Sequence, residues 1–532
     1  MIKSETKITA KNPKPILWTI SGADCSGGAG IAADIKTGHR LDVEVCHLIT
    51  ANTVQNSTKL LSINPTEIAI LAEQAQALRF DKPPRAIKIG LIANSAQINW
   101  LVSLLSELKQ QITDLIVVYD PVGQASVGGS LSNIPAEALL PLMPLLDVIT
   151  PNLNEAKKLS KLINSDTGND NNIAISEKII SLGCNAVIVK GGHRNDISNT
   201  NRVRKYCLDT CVQKLANNDL QSYQLQSAYI ETSHSHGGGC SFASALASFL
   251  AHNYLLRDAF TLTKAYINQG LTFSQQQQQA RSAVSTNKAM ANSYYGAFEQ
   301  STWPNDRNYF PTVVAPLNDK YQHLPAFAAL NLVEHERLGL YPVIDSIEWL
   351  ERLLPLNIKI IQLRIKNKSN EELDAIIEKA VALAKNYSCR LFINDYWQLA
   401  IKHGAYGVHI GQEDLADTDL AAIADAGLRL GISTHGCYEF LLAQQLQPSY
   451  LAVGAIFPTK TKDMTGQIQG LNNLTHILSL AKNIPVVAIG GINHQRLTQV
   501  WDTGVSAVAV VTAITQAEQP IVAARAMQAA LD

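Results

Sequence analysis

Residues 16–30 read ILWTISGADCSGGAG. The first five are the residue types of a buried strand, and the glycines that follow predict a turn before a helical stretch. Three later segments, 115–119, 147–150 and 186–189, repeat this order of apolar run, polar turn and amphipathic stretch. Such alternation is typical of an α/β domain with a mainly parallel sheet.

A second alternation of strands and helices begins near residue 338. Candidate strands lie at 340–344, 358–363, 390–393, 407–410, 429–432, 450–453, 485–489 and 507–511. Eight strands separated by helical stretches within about 200 residues predict a (β/α)8 TIM barrel. In that fold the chemistry lies at the carboxyl ends of the strands, so polar side chains directly after each strand are site candidates.

The pattern changes between the two alternations. Two helices, 241–256 and 258–270, are predicted to close the first unit, and a glutamine run follows at 275–279. The next stretch is rich in Asn, Tyr and Pro, which is typical of a connector. We therefore predict an N-terminal domain at 1–285, a connector at 286–325 and a C-terminal barrel at 326–532.

The composition excludes several classes of protein. Of the 532 residues 46% are hydrophobic and 17% charged, which excludes a disordered chain. With 44 Lys and Arg against 45 Asp and Glu, no excess charge attracts the chain to nucleic acid or to a membrane. The eight cysteines form no CxxC pair, and no apolar run is long enough to span a bilayer. We expect a soluble cytoplasmic protein that acts on small molecules, with homo-oligomerisation left open.

Polar side chains follow several predicted strands of the first half. Asp24 can accept hydrogen bonds from a substrate hydroxyl or amine, and Lys190 adds a cation near the same sheet edge. Asn152 and Glu155 lie three apart on one face of a predicted helix, where they could hold Mg²⁺ through its waters. An N-terminal capping box formed by the same two residues is an equal alternative.

The segment HSHGGGC at residues 234–240 precedes the helix predicted at 241–256. Glycines at a helix start leave N–H groups and the positive end of the helix dipole available to an anion, such as a transferring phosphoryl group. Cys240 would lie in the first turn, where the pKa of a thiol is lowered and a thiolate could accept a proton. A small core residue is the alternative for Cys240.

These motifs, together with residues 54–56, 88–90 and 120–122, resemble the hydroxymethylpyrimidine and phosphomethylpyrimidine kinases of thiamin biosynthesis. That family is a branch of the ribokinase-like fold. The resemblance implies that Gln55 contacts the aminopyrimidine and that Gly22 and Asp24 line the same pocket. It assigns the remaining residues to phosphoryl transfer from Mg-ATP, with Gly237 and Gly239 at the phosphoryl group, Cys240 as the base, and Asn152, Glu155 and Lys190 at the nucleotide. Gly238 stands where the family usually has Thr, and Cys25 where Pro is common.

The second half carries charged side chains after its predicted strands. The alternation of a strand places Gln362, Arg364 and Lys366 on one face, a pattern that fits pyrophosphate. Asp395 and Asp414 follow two neighbouring strands and could share Mg²⁺, with a diphosphate completing its coordination. Loops after the last two strands of such barrels often bind a monophosphate.

This half resembles thiamin-phosphate synthase over about residues 338–525. The resemblance implies a pyrimidine diphosphate site, a Mg²⁺ site at Asp395 and Asp414, and a thiazole phosphate site. The first site would be formed by Gln362, Arg364, Lys366, Asn394, Ser433 and Lys462, and the last by Thr459, Lys460, Thr461, Gly491, Val511 and Thr512. Arg364 and Lys462 would also draw off the leaving group. Ile365 stands where many members have Glu.

The sequence therefore predicts a bifunctional enzyme of thiamin biosynthesis. Its first half would phosphorylate hydroxymethylpyrimidine and its monophosphate with ATP and Mg²⁺. Its second half would couple the diphosphate to thiazole phosphate and release pyrophosphate. Two alternatives concern the first half, which could instead be a pyridoxal-type kinase or a non-catalytic ligand-binding module.

Overall fold

The computed structural model describes residues 14–56, 59–122, 134–163, 171–192, 206–284, 295–333, 336–459 and 468–531. The chain forms two compact units. The first extends to Pro304 and includes Tyr309–Pro311, and the second comprises Asn305–Asn308 and the chain from Thr312 onward. Within the described ranges, no helix combines the length and the apolar character needed to cross a membrane.

The first unit is built on a mainly parallel sheet. Its strands are β1 (Ile16–Asp24), β2 (Glu44–Gln55), β3 (Leu60–Pro65), β4 (Ala86–Ile89), β5 (Ile116–Tyr119), β6 (Val148–Ile149), β7 (Ala186–Val189), β8 (Tyr206–Lys214) and β9 (Leu220–Ala228). They lie in the order β9-β8-β7-β6-β5-β4-β1-β2-β3. Neighbours from β2 through β1 to β7 pair in parallel, and β3, β8 and β9 pair antiparallel. The predicted α/β class is confirmed.

The helices of the first unit flank this sheet. They are α1 (Gly30–Arg40), α2 (Ile68–Asp81), α3 (Ser95–Gln111), α4 (Leu153–Ser160), α5 (Asn172–Ile180), α6 (Gly238–Ala251) and α7 (Leu256–Val284). The predicted end of the last helix at 270 was wrong, because α7 continues through the glutamine run. Glutamine is a good helix former, and the Gln278 amide oxygen also accepts hydrogen bonds from Thr232 and Ser233 just before the 234–240 loop.

The second unit is a closed barrel of eight parallel strands. A short strand, β10 (Thr312–Val314), precedes the barrel strands, which are β11 (Gly339–Ile344), β12 (Ile360–Leu363), β13 (Arg390–Asn394), β14 (Gly407–Ile410), β15 (Arg429–Thr434), β16 (Tyr450–Val453), β17 (Val486–Ile489) and β18 (Ala507–Val510). Each pairs in parallel with its neighbour, and β18 closes onto β11. The predicted TIM barrel is confirmed.

Helices precede, connect and follow the barrel strands. They are α8 (Pro316–Tyr321), α9 (Ile347–Leu353), α10 (Asn370–Asn386), α11 (Trp397–Lys402), α12 (Leu420–Asp425), α13 (Cys437–Gln444), α14 (Gly470–Leu478), α15 (His494–Trp501), α16 (Thr512–Thr515) and α17 (Pro520–Ala529). The longest, α10, begins with a capping box in which Ser369 and Glu372 each accept a backbone N–H of the other.

Described parts of the predicted connector pack on one unit or the other. Phe298 is buried, and the Trp303 ring lies edge-on against Phe249 of α6 with 5.0 Å between centroids. In the second unit, the Tyr321 hydroxyl donates to the carbonyl of Thr418 at 2.9 Å. The aromatic residues of this stretch therefore serve as packing anchors.

A buried ion pair joins the helices and strands of the first unit. Lys88 of β4 and Asp34 of α1 are fully buried, with Nζ 2.9 Å and 3.0 Å from the two carboxylate oxygens. Asp34 also accepts hydrogen bonds from Thr19 of β1 and Ser244 of α6. Burial alone would lower the pKa of Lys88, but Asp34 outweighs it and holds the pKa above its ordinary value. The lysine therefore stays charged inside the core.

Removing one partner of this pair should destabilise the first unit. Asp34→Ala leaves an uncompensated buried ammonium group, so we expect the free energy of unfolding to fall by about 3–5 kcal/mol. The double variant Asp34→Ala/Lys88→Met removes both charges and should regain most of that loss. Glu107→Ala, which breaks the exposed pair with Arg79, is the control and should stay near wild type. Urea unfolding measures all three, and an Asp34→Ala protein as stable as the control would contradict the expectation.

Candidate active sites

Two glycine-rich loops meet at the carboxyl edge of the first sheet. Gly237 is the N-cap of α6 and has φ 84°, a conformation that favours glycine. A Cβ on Gly237 would overlap the carbonyl oxygen of Gly28, and one on Gly28 would overlap the His236 ring. The glycines therefore let the 27–30 turn and the 236–240 loop lie in direct contact.

Asp24 holds these two loops together. Its carboxylate accepts hydrogen bonds from the backbone N–H groups of Ser26 and Ala29 and from the Ser26 hydroxyl, and its Oδ2 lies 2.8 Å from His236 Nε2. Burial alone would raise the pKa of Asp24, but the bonds to His236 and Ser26 outweigh burial and hold the pKa well below its ordinary value. The sequence analysis assigned no role to His236, and its position beside the glycines is the signal that could have identified it.

The other pocket residues assigned from the family lie at the same edge. Asp24 pairs in register with Thr53 of β2, two residues before Gln55. The backbone carbonyl of Gln55 accepts a bond from the Cys25 thiol at 2.9 Å. The structure thus brings Asp24 and Gln55 to adjacent strand ends, with Gly22 two residues before Asp24 on β1.

The expected lowering of the Cys240 pKa was wrong. Burial raises the pKa of the thiol to about 11, although Lys88 and a hydrogen bond from the Gly30 N–H act in the opposite direction. Asp34 and Asp120 raise it further. Position in the first turn of a helix favours a thiolate, but here the surrounding burial has the larger effect, so the thiol keeps its proton near neutral pH.

A cation and an anion lie beside the start of α6. Lys190 Nζ is 2.8 Å from an Asp120 carboxylate oxygen, and Thr150 donates to the same oxygen at 3.2 Å. A Cβ built on Gly239 would be 3.8 Å from Lys190 Nζ and 3.9 Å from Asp120 Oδ2. Lys190 is thereby held next to the glycines of α6. Asp120 was part of a quoted motif but had no assigned role.

Asn152 and Glu155 form the capping box that the sequence left as an alternative. Asn152 Oδ1 accepts the Glu155 N–H at 2.9 Å, and Glu155 Oε2 accepts the Asn152 N–H at 2.8 Å. A β-bridge between Asn152 and Lys190 places this helix start beside the lysine. The two residues therefore cap α4 at the same edge as the glycine loops.

The barrel has a cavity of about 950 Å³ at the carboxyl ends of its strands. Most of the described residues assigned to the synthase site line it: Gln362, Arg364, Asn394, Asp395, Asp414, Ser433, Thr459, Gly491, Val511 and Thr512. Lys366 is exposed and is not among the lining residues. Lys460, Thr461 and Lys462 lie outside the described residues.

Asp395 is held in an unusual conformation at the end of β13. Its φ of 64° lies in the left-handed region, and its Oδ2 accepts a hydrogen bond from Asn394, whose Oδ1 accepts one from Gln362. Burial raises the pKa of Asp395, and Asp414 and Glu413 raise it further. Arg364 and Lys366 act in the opposite direction. Carboxylates and cations therefore interact at one side of the cavity.

The cavity also contains residues to which the sequence analysis gave no role. His409 Nε2 lies 2.8 Å from the Ser433 hydroxyl, and His435 Nδ1 lies 2.9 Å from the carboxylate of buried Glu439. Glu413 and Asn493 are further polar lining residues without an assigned role. The lining residues among them follow a predicted strand or lie at its end. The expectation that the chemistry of a TIM barrel lies at the carboxyl ends of its strands could therefore have identified them.

Both units match known families. Residues 24–285 match the family model described as phosphomethylpyrimidine kinase, and residues 333–514 match the model described as thiamine monophosphate synthase. Thiamine-phosphate synthase of Pectobacterium atrosepticum is 58% identical over 183 residues, which are 34% of this chain and 86% of that protein. The pyridoxal-type alternative is not favoured, because the family match across the first unit is to phosphomethylpyrimidine kinase.

Solved structures resemble the first unit as well. Phosphomethylpyrimidine kinase from Clostridium difficile is 32% identical and covers 48% of this chain and 99% of its own, with a TM-score of 0.38. Pyridoxal kinase from Staphylococcus aureus is 26% identical and covers 49% and 89%, with a TM-score of 0.41. Through its barrel the chain belongs to the thiamine-phosphate synthase family, and with a first unit of the phosphomethylpyrimidine kinase type it is a bifunctional enzyme of thiamin biosynthesis.

Proposed function

We propose that the first unit phosphorylates hydroxymethylpyrimidine and then its monophosphate, with ATP as the phosphoryl donor. Gly22, Asp24 and Gln55 would form the pyrimidine pocket at the ends of β1 and β2. The amides of Gly239 and Cys240 belong to the first turn of α6, whose N–H groups have no acceptor inside the helix and can bind the transferring phosphoryl group. This placement is supported by the contact between the two glycine loops.

Lys190, Asn152 and Glu155 would face the nucleotide. The support is their shared position at the sheet edge beside Gly239. Phosphoryl transfer passes through a loose transition state in which positioning and charge neutralisation matter most. A lysine beside the helix start fits that need, and Mg²⁺ would supply further neutralisation of the phosphate charge.

Cys240 would position the hydroxymethyl group instead of acting as a preformed base. Burial raises the pKa of its thiol to about 11, so the thiol is protonated at pH 7. A loose transition state needs little removal of the alcohol proton before the phosphoryl group transfers. Cys240 would therefore contact the hydroxymethyl group and hold it in place, because of the size of its side chain and its position in the first turn of α6.

The second unit would couple the pyrimidine diphosphate to thiazole phosphate and release pyrophosphate. The observation that carries this proposal is the convergence of Arg364, Asn394, Asp395, Asp414 and Ser433 on one cavity. Cations and amide donors suit the diphosphate. Gly491, Val511 and Thr512 come from the loops after β17 and β18, where barrels bind monophosphates. Gln362, Lys366, Thr459, Lys460, Thr461 and Lys462 complete the proposed substrate contacts.

Asp395 and Asp414 fit a divalent cation. Among the described residues no cluster of three or more Asp, Glu, His or Cys side chains has a metal-binding arrangement, so the protein would offer two carboxylates and the diphosphate the remaining oxygens. Burial and the neighbouring Asp414 carboxylate both raise the pKa of Asp395, and a bound cation would offset both effects. Mg²⁺ prefers a few carboxylates with substrate phosphate oxygens, and it would stabilise the departing pyrophosphate.

The two activities would be divided between the chain segments 1–285 and 326–532, with 286–325 as a connector. None of the eight cysteines, which all lie within the described ranges, forms a disulfide, and this supports a reducing cytoplasm as the site of action. The proposed partners are the small-molecule substrates alone.

The purified chain should make thiamin phosphate from hydroxymethylpyrimidine, thiazole phosphate, ATP and Mg²⁺ in one vessel. Neither unit alone can complete that sequence, so product detected by mass spectrometry would establish both activities. Product that forms only from pre-made pyrimidine diphosphate would contradict the kinase assignment. No product in either case would contradict the synthase assignment.

Neutralising either carboxylate of the barrel should separate the two activities. Asp395→Asn and Asp414→Asn should each lower coupling of pre-made diphosphate by at least about 100-fold, because a metal ligand and its charge are lost. ATP-dependent phosphorylation should stay near wild type. Asp417→Asn, outside the lining residues, is the matched control. Loss of both activities in a folded variant would refute the assignment of the sites to separate units.

Cys240 variants distinguish a positioning residue from a base. If Cys240 positions the hydroxymethyl group and accepts no proton, kcat/KM for phosphorylation should show no rise attributable to Cys240 between pH 7 and 9, although the thiolate fraction rises with pH in that range. Cys240→Ser, which keeps a similar size, should retain activity within about tenfold, and Cys240→Ala should lose more. A tenfold rise per pH unit in the wild type that Cys240→Ser abolishes would instead identify the thiolate as the base.

A further inference from the structure

Four side chains form a continuous hydrogen-bonded chain from the barrel interior to the cavity. The Tyr341 and Tyr450 hydroxyl oxygens are 2.7 Å apart, and Tyr450 Oη is 2.7 Å from His409 Nδ1. His409 Nε2 is in turn 2.8 Å from Ser433 Oγ. We call these four residues the hydroxyl chain. Tyr341 comes from β11, Tyr450 from β16, His409 from β14 and Ser433 from β15. The last two of these residues line the cavity.

Packing fixes the heavy atoms of the hydroxyl chain. The Tyr450 ring stacks on His409 with 5.6 Å between centroids and lies edge-on to Tyr341 and Phe392. Gly431 of β15 makes room for it, because a Cβ there would overlap the Tyr450 ring. The rings cannot be repositioned without clashes, so the direction in which the hydrogens point is the remaining freedom.

Two directions are available, and they have opposite consequences for Ser433. If Ser433 donates to His409, the protonated Nδ1 donates to Tyr450, and Tyr450 donates to Tyr341. If Tyr341 donates to Tyr450, then Tyr450 donates to Nδ1, and a protonated Nε2 donates to Ser433. Only the second direction leaves the Ser433 hydrogen available to a ligand.

The buried end of the chain decides between them. Tyr341 is 1% exposed, and among the described residues its hydroxyl has Tyr450 as its hydrogen-bond partner. In the first direction the Tyr341 O–H would be buried without an acceptor, which is costly. In the second direction the two tyrosine hydroxyls and the imidazole N–H each have an acceptor, and the O–H left over is that of Ser433, which lines the cavity. Burial raises the pKa values of Tyr341 and Tyr450, so both keep the protons that the chain needs.

We propose that Tyr341, Tyr450 and His409 are positioning residues that commit the Ser433 hydroxyl to donate a hydrogen bond to the pyrimidine diphosphate. The proposal rests on the coupling function proposed above. Diphosphate oxygens and pyrimidine ring nitrogens can only accept hydrogen bonds, so a serine committed as a donor recognises them, whereas one committed to His409 does not.

The imidazole tautomer is the first test. Full-length protein labelled with ¹⁵N-histidine would be studied by long-range ¹H–¹⁵N correlation, and the signal lost in His409→Gln identifies the ring. We expect a neutral imidazole with the proton on Nε2. Tyr450→Phe removes the hydroxyl that donates to Nδ1 of His409. The tautomer with the proton on Nδ1 should then become detectable. Tyr406→Phe is the control, since the Tyr406 hydroxyl bonds to the Leu330 carbonyl outside the chain.

A double-mutant cycle tests the positioning role. With pre-made pyrimidine diphosphate, Ser433→Ala should lower kcat/KM roughly 10- to 100-fold, as for a lost hydrogen bond to a charged group. Tyr450→Phe alone should lower kcat/KM by a smaller factor. Added to Ser433→Ala, it should lower kcat/KM no further. Equal losses in both backgrounds would show that Tyr450 acts by some route other than Ser433, which would overturn the proposal.

The two tests separate this inference from the proposed function. An Nδ1–H imidazole in the wild type overturns the inference whether or not coupling occurs. An Nε2–H imidazole in a protein that couples no substrates would instead refute the proposed function and leave the direction of the hydroxyl chain intact. Thermal unfolding of each variant confirms that the barrel is folded.

Discussion

Parallel pairing of neighbouring strands is the constraint on which both candidate sites depend. When strands run in the same direction, their carboxyl ends lie at one edge, and the residues that follow them are brought together. In the first unit this brings Asp24, Gln55 and Lys190 to one sheet edge, and in the second it brings Arg364, Asp395 and Ser433 to one cavity. Segments far apart in sequence can therefore contribute to one chemistry.

Close approach of backbone is the second requirement, and glycine meets it in both units. Gly237 has a positive φ and allows the 236–240 loop to contact the turn at 27–30. Gly431 has no unusual conformation, and its role is to leave space for the Tyr450 ring. In one case glycine permits a backbone conformation, and in the other it permits a packing arrangement that keeps a hydrogen-bonded chain in place.

The balance between burial and direct contacts determines the protonation of the key groups more than position along a helix does. Cys240 starts a helix, a place that favours a thiolate, yet burial raises its pKa to about 11. Lys88 is more deeply buried and still keeps its charge, because Asp34 contacts it directly. The two residues differ because Lys88 has an oppositely charged carboxylate in direct hydrogen-bond contact, which offsets the cost of burying its charge. Among the residues that the structure describes, no cation is bonded to Cys240 in the same way, so burial has the larger effect on its thiol.

The sequence by itself determined the fold class, the eight barrel strands and ten of the residues that line the cavity. It could do so because strand periodicity and the position of polar residues after strands are local properties of the chain. It did not determine the extension of α7 beyond residue 270, the raised pKa of Cys240, the Lys88–Asp34 pair or the hydroxyl chain. Each of these depends on contacts between residues far apart in sequence, such as the 109 positions that separate Tyr341 from Tyr450. Local pattern indicates which side chains are polar, but only the tertiary structure decides which of them are buried together, and burial sets both their charge and the direction in which their hydrogens point.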